Sequence, residues 1–124
     1  MMYEVRVKRH FDAAHALRGY KGKCETTHGH RYEVVVCVES EALDEMGLAY
    51  DFTELKRVLD SVIERFDHTY LNELRPFDEK NPSSENIARV VYEELEGRIE
   101  GARLGSVEVW ESPDAWVTYS ARLP

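Results

Sequence analysis

His28-Gly29-His30-Arg31-Tyr32-Glu33-Val34-Val35-Val36-Cys37-Val38 sets the frame for the rest of the chain. From Tyr32 to Val38 it is β-branched and apolar on both faces, which predicts a central, well-covered strand. Upstream, Tyr3 to Phe11 alternates. Tyr3, Val5, Val7, Arg9 and Phe11 fall on one side, and Glu4, Arg6, Lys8 and His10 on the other. That pattern predicts a strand with one buried face. Between the two strands, Ala16 to Thr27 carries Gly19, Gly22 and several charges with no period, and reads as a loop.

Downstream, Asp51 opens a helical pattern in which Phe52, Leu55, Val58, Leu59, Val62, Ile63 and Phe66 recur at three- and four-residue steps. Asp51 is placed to cap the free N–H groups, with Glu54 as its reciprocal partner. A second helix is expected after Asn81-Pro82-Ser83-Ser84, capped by a serine, with Ile87, Val91 and Leu95 along one face and Gly97 near its end. Leu104 to Glu111 and Ala115 to Leu123, joined at Ser112-Pro113-Asp114, predict a closing hairpin. The order ββααββ implies a single α+β domain over residues 1–124: a four-stranded antiparallel sheet with two helices on one face.

The 124 residues suit one core, and 43% hydrophobic with 32% charged residues is the balance of a globular chain rather than a disordered one. No apolar run approaches the ~18–20 residues that cross a bilayer. The first residues, MMYEVRVKRH, lack the apolar core of a secretory signal. Two cysteines, Cys24 and Cys37, are too few for a disulfide framework, so a reducing cytoplasm is the expected setting, without membrane contact. A net charge of −8 argues against a nucleic-acid partner. The charge is uneven, however. Val5 to Arg31 holds seven basic and two acidic residues, a local +5, and a basic rim there would suit a small anionic substrate.

Three of the five histidines form a metal-ligand pattern. His28 and His30 are two apart at the entry to a strand, so both imidazoles point to one face. His15, at the end of the first strand, joins them if sequential strands are neighbours. Three neutral imidazoles around zinc leave a fourth position open, as in catalytic sites. Cys24, four residues before His28, is open to two readings. It is either the fourth ligand of a closed structural site, or a thiol of lowered pKa beside the metal, acting as a base. Cys37 reads as an inert buried thiol. His68 follows the first helix, whose C-terminus favours the imidazolium, and Asp67 beside it suits an acid–base role. His10 has no identifiable partner.

Taken in order, FDAAH, CETTHGHRY, DHTYLNEL, NPSSENIA and VEVWES resemble the 6-pyruvoyl-tetrahydropterin synthase family over nearly the whole chain. The short Cys24-to-His28 gap is similar to the carboxy-forming branch, the 6-carboxytetrahydropterin synthases of queuosine and deazapurine biosynthesis. Ser83 stands where the family usually has threonine, keeping the hydroxyl. The resemblance implies the tunnelling fold and a homo-oligomer, a hexamer of two stacked trimers with active sites between subunits. It implies Zn2+ on His15, His28 and His30, Cys24 as the proton-abstracting thiol, and Asp67 with His68 as an acid–base pair from a neighbouring subunit. Glu111 would grip the 2-amino and N3 edge of a pterin, with Ser83, Ser84 and Glu85 at its pocket. Lys21 and Lys23 are candidates for the triphosphate.

The implied reaction converts 7,8-dihydroneopterin triphosphate to 6-carboxy-5,6,7,8-tetrahydropterin, releasing triphosphate and acetaldehyde. A pyruvoyl-forming synthase, which releases no acetaldehyde, is the nearest alternative. A non-catalytic zinc- or pterin-binding module with a closed Cys-His₃ site is the alternative of another class.

Overall fold

The computed structural model describes residues 1–20 and 26–121. Two long strands, β1 (Tyr3–His15) and β2 (His28–Ser40), form the antiparallel centre. Helix α1 (Phe52–Ile63) follows, then a two-residue strand β3 (Thr69–Tyr70), helix α2 (Ser84–Glu96), and the hairpin of β4 (Arg103–Ser112) and β5 (Ala115–Tyr119). Both long strands outrun the sequence expectation at the same end. The in–out alternation of β1 continues through Phe11, Ala13 and His15, all buried, and His15 pairs with His28 across the ladder. Alanine and glycine at Ala13, Ala14 and Gly29 kept that continuation from showing as a hydrophobic pattern.

The sheet departs from the expected four-stranded antiparallel arrangement. It is five-stranded, in the order β3-β1-β2-β4-β5, and β3 runs parallel to β1 through Ala13–Thr69 and Ala14–Tyr70. The chain leaving α1 passes through a 3₁₀ turn (Glu64–Phe66) and comes back beside the end of β1, where the His68 N–H donates to the Asp12 carbonyl at 2.6 Å. A strand of two residues is too short to carry a period.

Both helices cover one face, as expected. Val7, Phe11, Val34, Val36, Val107 and Val109 share that face through the register of β1, β2 and β4. Leu55, Val58, Leu59 and Val62 of α1 pack there with Ile87, Val91 and Leu95 of α2 in one cluster. Leu59 is wholly buried, so truncation to alanine would cost about 2–5 kcal/mol. Arg9 departs from its expected buried side: it is exposed and forms a bidentate pair with Asp60 of α1.

Asp51 caps α1 through the Thr53 N–H, but Glu54 does not close a capping box; it pairs with Arg57 one turn on. Ser83 caps α2, accepting from the Asn86 N–H at 3.2 Å. Among the described residues, no helix is long and apolar enough to cross a membrane.

Candidate metal centre and active site

The β1–β2 register places His15 opposite His28 and Ala13 opposite His30, so all three imidazoles lie at one end of the sheet. Each offers a ring nitrogen within 4.8 Å of the others. His15 is fully buried, and the other two are half-buried. His15 Nδ1 lies 2.7 Å from the Pro82 carbonyl, and His28 Nδ1 lies 2.7 Å from that of Thr26. A carbonyl can only accept, so both Nδ1 atoms carry a proton, and in the neutral tautomer that this selects, the lone pair sits on Nε2.

Those two Nε2 atoms face each other at 2.9 Å. His30 Nε2 is buried with no hydrogen-bond partner. Facing lone pairs and an orphaned ring nitrogen are costly by themselves, and a shared cation satisfies all of them. Burial lowers the pKa of His15 and of His30, against the opposing pull of Glu111 on each. The neutral form they keep is the one that binds metal. The donor set therefore fits a metal ion.

Glu111, at the end of β4, closes on this cluster. Its Oε1 lies 3.5 Å from His15 Nε2 and 3.8 Å from His30 Nε2. It also borders two cavities. One, of about 210 Å³, brings it together with Ser83, Ser84, Glu85 and Leu17, beneath the edge strand at Trp116. The other, of about 610 Å³, includes His30, Arg31, Lys8 and Trp110. Four of the sequence candidates thus share one cavity. Ser83 spends its hydroxyl on the helix cap, an acceptor role that threonine fills equally well. Beneath the imidazoles, Tyr32 is wholly buried with its hydroxyl unpartnered, and burial raises its pKa.

Asp67 and His68 form a separate cluster with Asp12. Asp67 Oδ2 lies 2.9 Å from His68 Nδ1, and Asp67 Oδ1 accepts the Asp12 N–H at 2.9 Å. That backbone hydrogen bond, with His68 contributing next, holds Asp67 below its usual carboxylate pKa. His68 has φ +58°, the left-handed region that costs a residue with a Cβ about 1–2 kcal/mol. Its side chain is 79% exposed. The expected helix C-terminus is not its partner: α1 ends at Ile63 and the 3₁₀ turn intervenes.

Lys21, Lys23 and Cys24 lie outside the described residues. The rest of the basic rim is largely engaged within the chain. Arg6 pairs with Glu4, Lys8 with Glu33, Arg9 with Asp60 and Arg31 with Asp12. Arg18 donates to the Asn72, Phe77 and Lys80 carbonyls. Sequence reasoning missed the Pro82 carbonyl, Asp12 and Trp116. No residue-type signal marks a carbonyl, whereas FDAAH already contains Asp12.

Residues 4–122 match the 6-pyruvoyl tetrahydropterin synthase family. A protein of Archaeoglobus fulgidus, provisionally named a 6-carboxy-5,6,7,8-tetrahydropterin synthase, is 37% identical over 90% of each chain. A dihydroneopterin monophosphate aldolase of Pyrococcus furiosus is 36% identical over 82% of each. The 6-carboxy-5,6,7,8-tetrahydropterin synthase of Bacillus subtilis is 28% identical, over 94% of this chain and 84% of that one. Among solved structures, 6-pyruvoyl tetrahydropterin synthase of Caenorhabditis elegans superposes with a TM-score of 0.88 at 28% identity, covering 98% of this chain and 97% of that one. With the motif order, the imidazole cluster and these likenesses in agreement, the chain belongs to the 6-pyruvoyl tetrahydropterin synthase family, as a lyase-type enzyme.

Proposed function

We propose that this chain is a zinc-dependent 6-carboxytetrahydropterin synthase, converting 7,8-dihydroneopterin triphosphate to 6-carboxy-5,6,7,8-tetrahydropterin, triphosphate and acetaldehyde. The observation that carries it is the convergence of His15, His28 and His30 with Glu111 at their edge. Zinc held by the three imidazoles supplies Lewis-acid polarisation of the vicinal hydroxyls on the substrate side chain.

The chain's own groups do the rest. Glu111 accepts two parallel N–H bonds from the guanidine-like edge of the pterin, as a carboxylate does from arginine. Ser83, Ser84 and Glu85 line the same cavity and help seat the ring. Cys24, as thiolate, takes a proton from the side chain. His68, oriented through Nδ1 by Asp67, leaves Nε2 to carry a proton at the other end. Its exposure supports service to a neighbouring copy in a homo-oligomer. Lys21 and Lys23 are placed by sequence beside Cys24 and receive the triphosphate. Of the three side-chain carbons, one stays as the carboxyl group, its second oxygen taken from water as the carbon–carbon bond is hydrolysed, and two leave as acetaldehyde.

A second reading is favoured by the aldolase relative, which matches about as well: carbon–carbon cleavage of a dihydroneopterin monophosphate. The pyruvoyl-forming reaction is favoured by the nematode structure. Mass spectrometry of the products from each phosphate ester separates them. Acetaldehyde with a 6-carboxy product from the triphosphate supports the proposal. Triphosphate release without acetaldehyde replaces it with the pyruvoyl reaction, and a phosphorylated two-carbon aldehyde replaces it with the aldolase. No turnover of either ester, with Cys24 resistant to alkylation until zinc is removed, replaces it with the closed Cys-His₃ module.

A further inference from the structure

Past His15 the first strand loses its neighbours. β2 pairs as far as His28, and β3 ends at its pairing with Ala14. The next backbone groups, on a buried Ala16 and then on Arg18, would be left without a ladder. Two asparagine side chains meet them instead. Asn72, from the 3₁₀ turn Leu71–Glu73, accepts the Ala16 N–H at 2.9 Å and donates to the Ala16 carbonyl at 2.9 Å. Asn81 does the same for Arg18, again at 2.9 Å in both directions.

Each amide thus uses one donor and one acceptor on a single residue, as a strand neighbour does, and the two engage alternate residues on one edge. The contacts close into a ring around His15. Asn81 is followed by Pro82, whose carbonyl takes the His15 Nδ1 proton at 2.7 Å, and Asn86 Nδ2 holds the Asn81 carbonyl at 2.8 Å. The chain just past His15 is therefore tied, through Asn81, to the segment that carries the carbonyl orienting its ring.

We propose that Asn72 and Asn81 are positioning residues for the metal ligand His15: a substitute strand that fixes where its Nε2 points. The inference rests on the three-imidazole metal centre proposed above. The Pro82 carbonyl sets the tautomer; Asn72 holds the main chain next to His15 at Ala16, and Asn81, next to Pro82 in the chain, holds it again at Arg18. Outer groups that orient a ligand typically change metal affinity by about 10–100-fold when removed.

The test measures Co2+ binding to the metal-free protein by its absorption spectrum and by competition with a chelator, alongside thermal melting of the metal-free form. Asn72→Ala and Asn81→Ala are compared with Leu59→Ala, which weakens the core far from the site. The expected result is a loss of Co2+ affinity of about 10–100-fold, with an altered ligand-field spectrum, in both asparagine variants. Leu59→Ala should melt earlier yet bind Co2+ as the unsubstituted protein does. Asparagine variants that melt earlier but keep the affinity and spectrum overturn the proposal, since their role is then support of the fold alone. If buried Asn72 proves essential for folding, Asn81→Ala carries the same comparison. Failure of the unsubstituted protein to bind Co2+ at one per chain overturns the metal reading itself.

Discussion

His15, His28 and His30 at the end of the central ladder, and His68 on the turn beside β1, are the same side chain in opposite surroundings. Of the first three, His15 is buried and the others are half-buried, and two have Nδ1 bound to carbonyls. Where a shift is defined, on His15 and His30, burial pushes the pKa down. His68 stands in solvent with a carboxylate on Nδ1 and its main chain in a strained conformation. Uncharged rings with converging lone pairs are suited to hold a cation. An exposed ring paired with a carboxylate is suited to give and take a proton. The environment, rather than the residue type, divides the work.

The largest effect expected is at the buried end. His28→Ala removes one of the three proposed ligands, and activity should fall by at least about 10³-fold together with bound metal, measured by elemental analysis. A variant that stays active while metal-free breaks the comparison. Next comes His68→Asn, which should retain its metal and lose about 10²–10⁴-fold in kcat. Loss of metal there would mean that the two regions are one site.

Acid sharpens the contrast. His15 and His30 have folded pKa values below that of the unfolded chain, so between those values and about 6.5 the unfolded state binds more protons. Metal-free stability should therefore fall as pH drops below about 6.5 and be flat above it, as urea titrations would reveal. Asp67 has linkage of the same sign in a more acid window. Its depressed folded pKa contributes stability above the usual carboxylate range, which is lost only as pH falls through the lower folded value. Asp67→Asn should then leave the step near pH 6.5 in place.

The smallest effect on stability is that of His68→Gly. Relief of the left-handed strain, against loss of an exposed ion pair, should leave stability unchanged or raise it by up to about 1 kcal/mol, while kcat falls as it does in His68→Asn. A clear loss of stability would show that the turn is not strained.

Much of the ligand end was legible, because period 2 puts His28 and His30 on one face whatever else the chain does, and FDAAH sits at the close of an alternating strand. The supports were not. Asn72 and Asn81 meet Ala16 and Arg18 across 56 and 63 positions of sequence, and a side chain bonding a backbone leaves no residue-type signature at its target. Glu54 had two available partners, and the nearby charge of Arg57 won over the backbone N–H of a capping box. Strand β3 was invisible because two residues have no periodicity.

From the linear order of side chains came the ββααββ frame, the capping Asp51 and Ser83, and the three candidate ligands, since each depends on spacing within a single element. Tertiary packing alone decided the tautomers of His15 and His28, the place of Glu111 against the imidazoles and the left-handed turn at His68. Those features arise where segments far apart in the chain meet, and local propensity carries no information about which carbonyl or carboxylate will be waiting there.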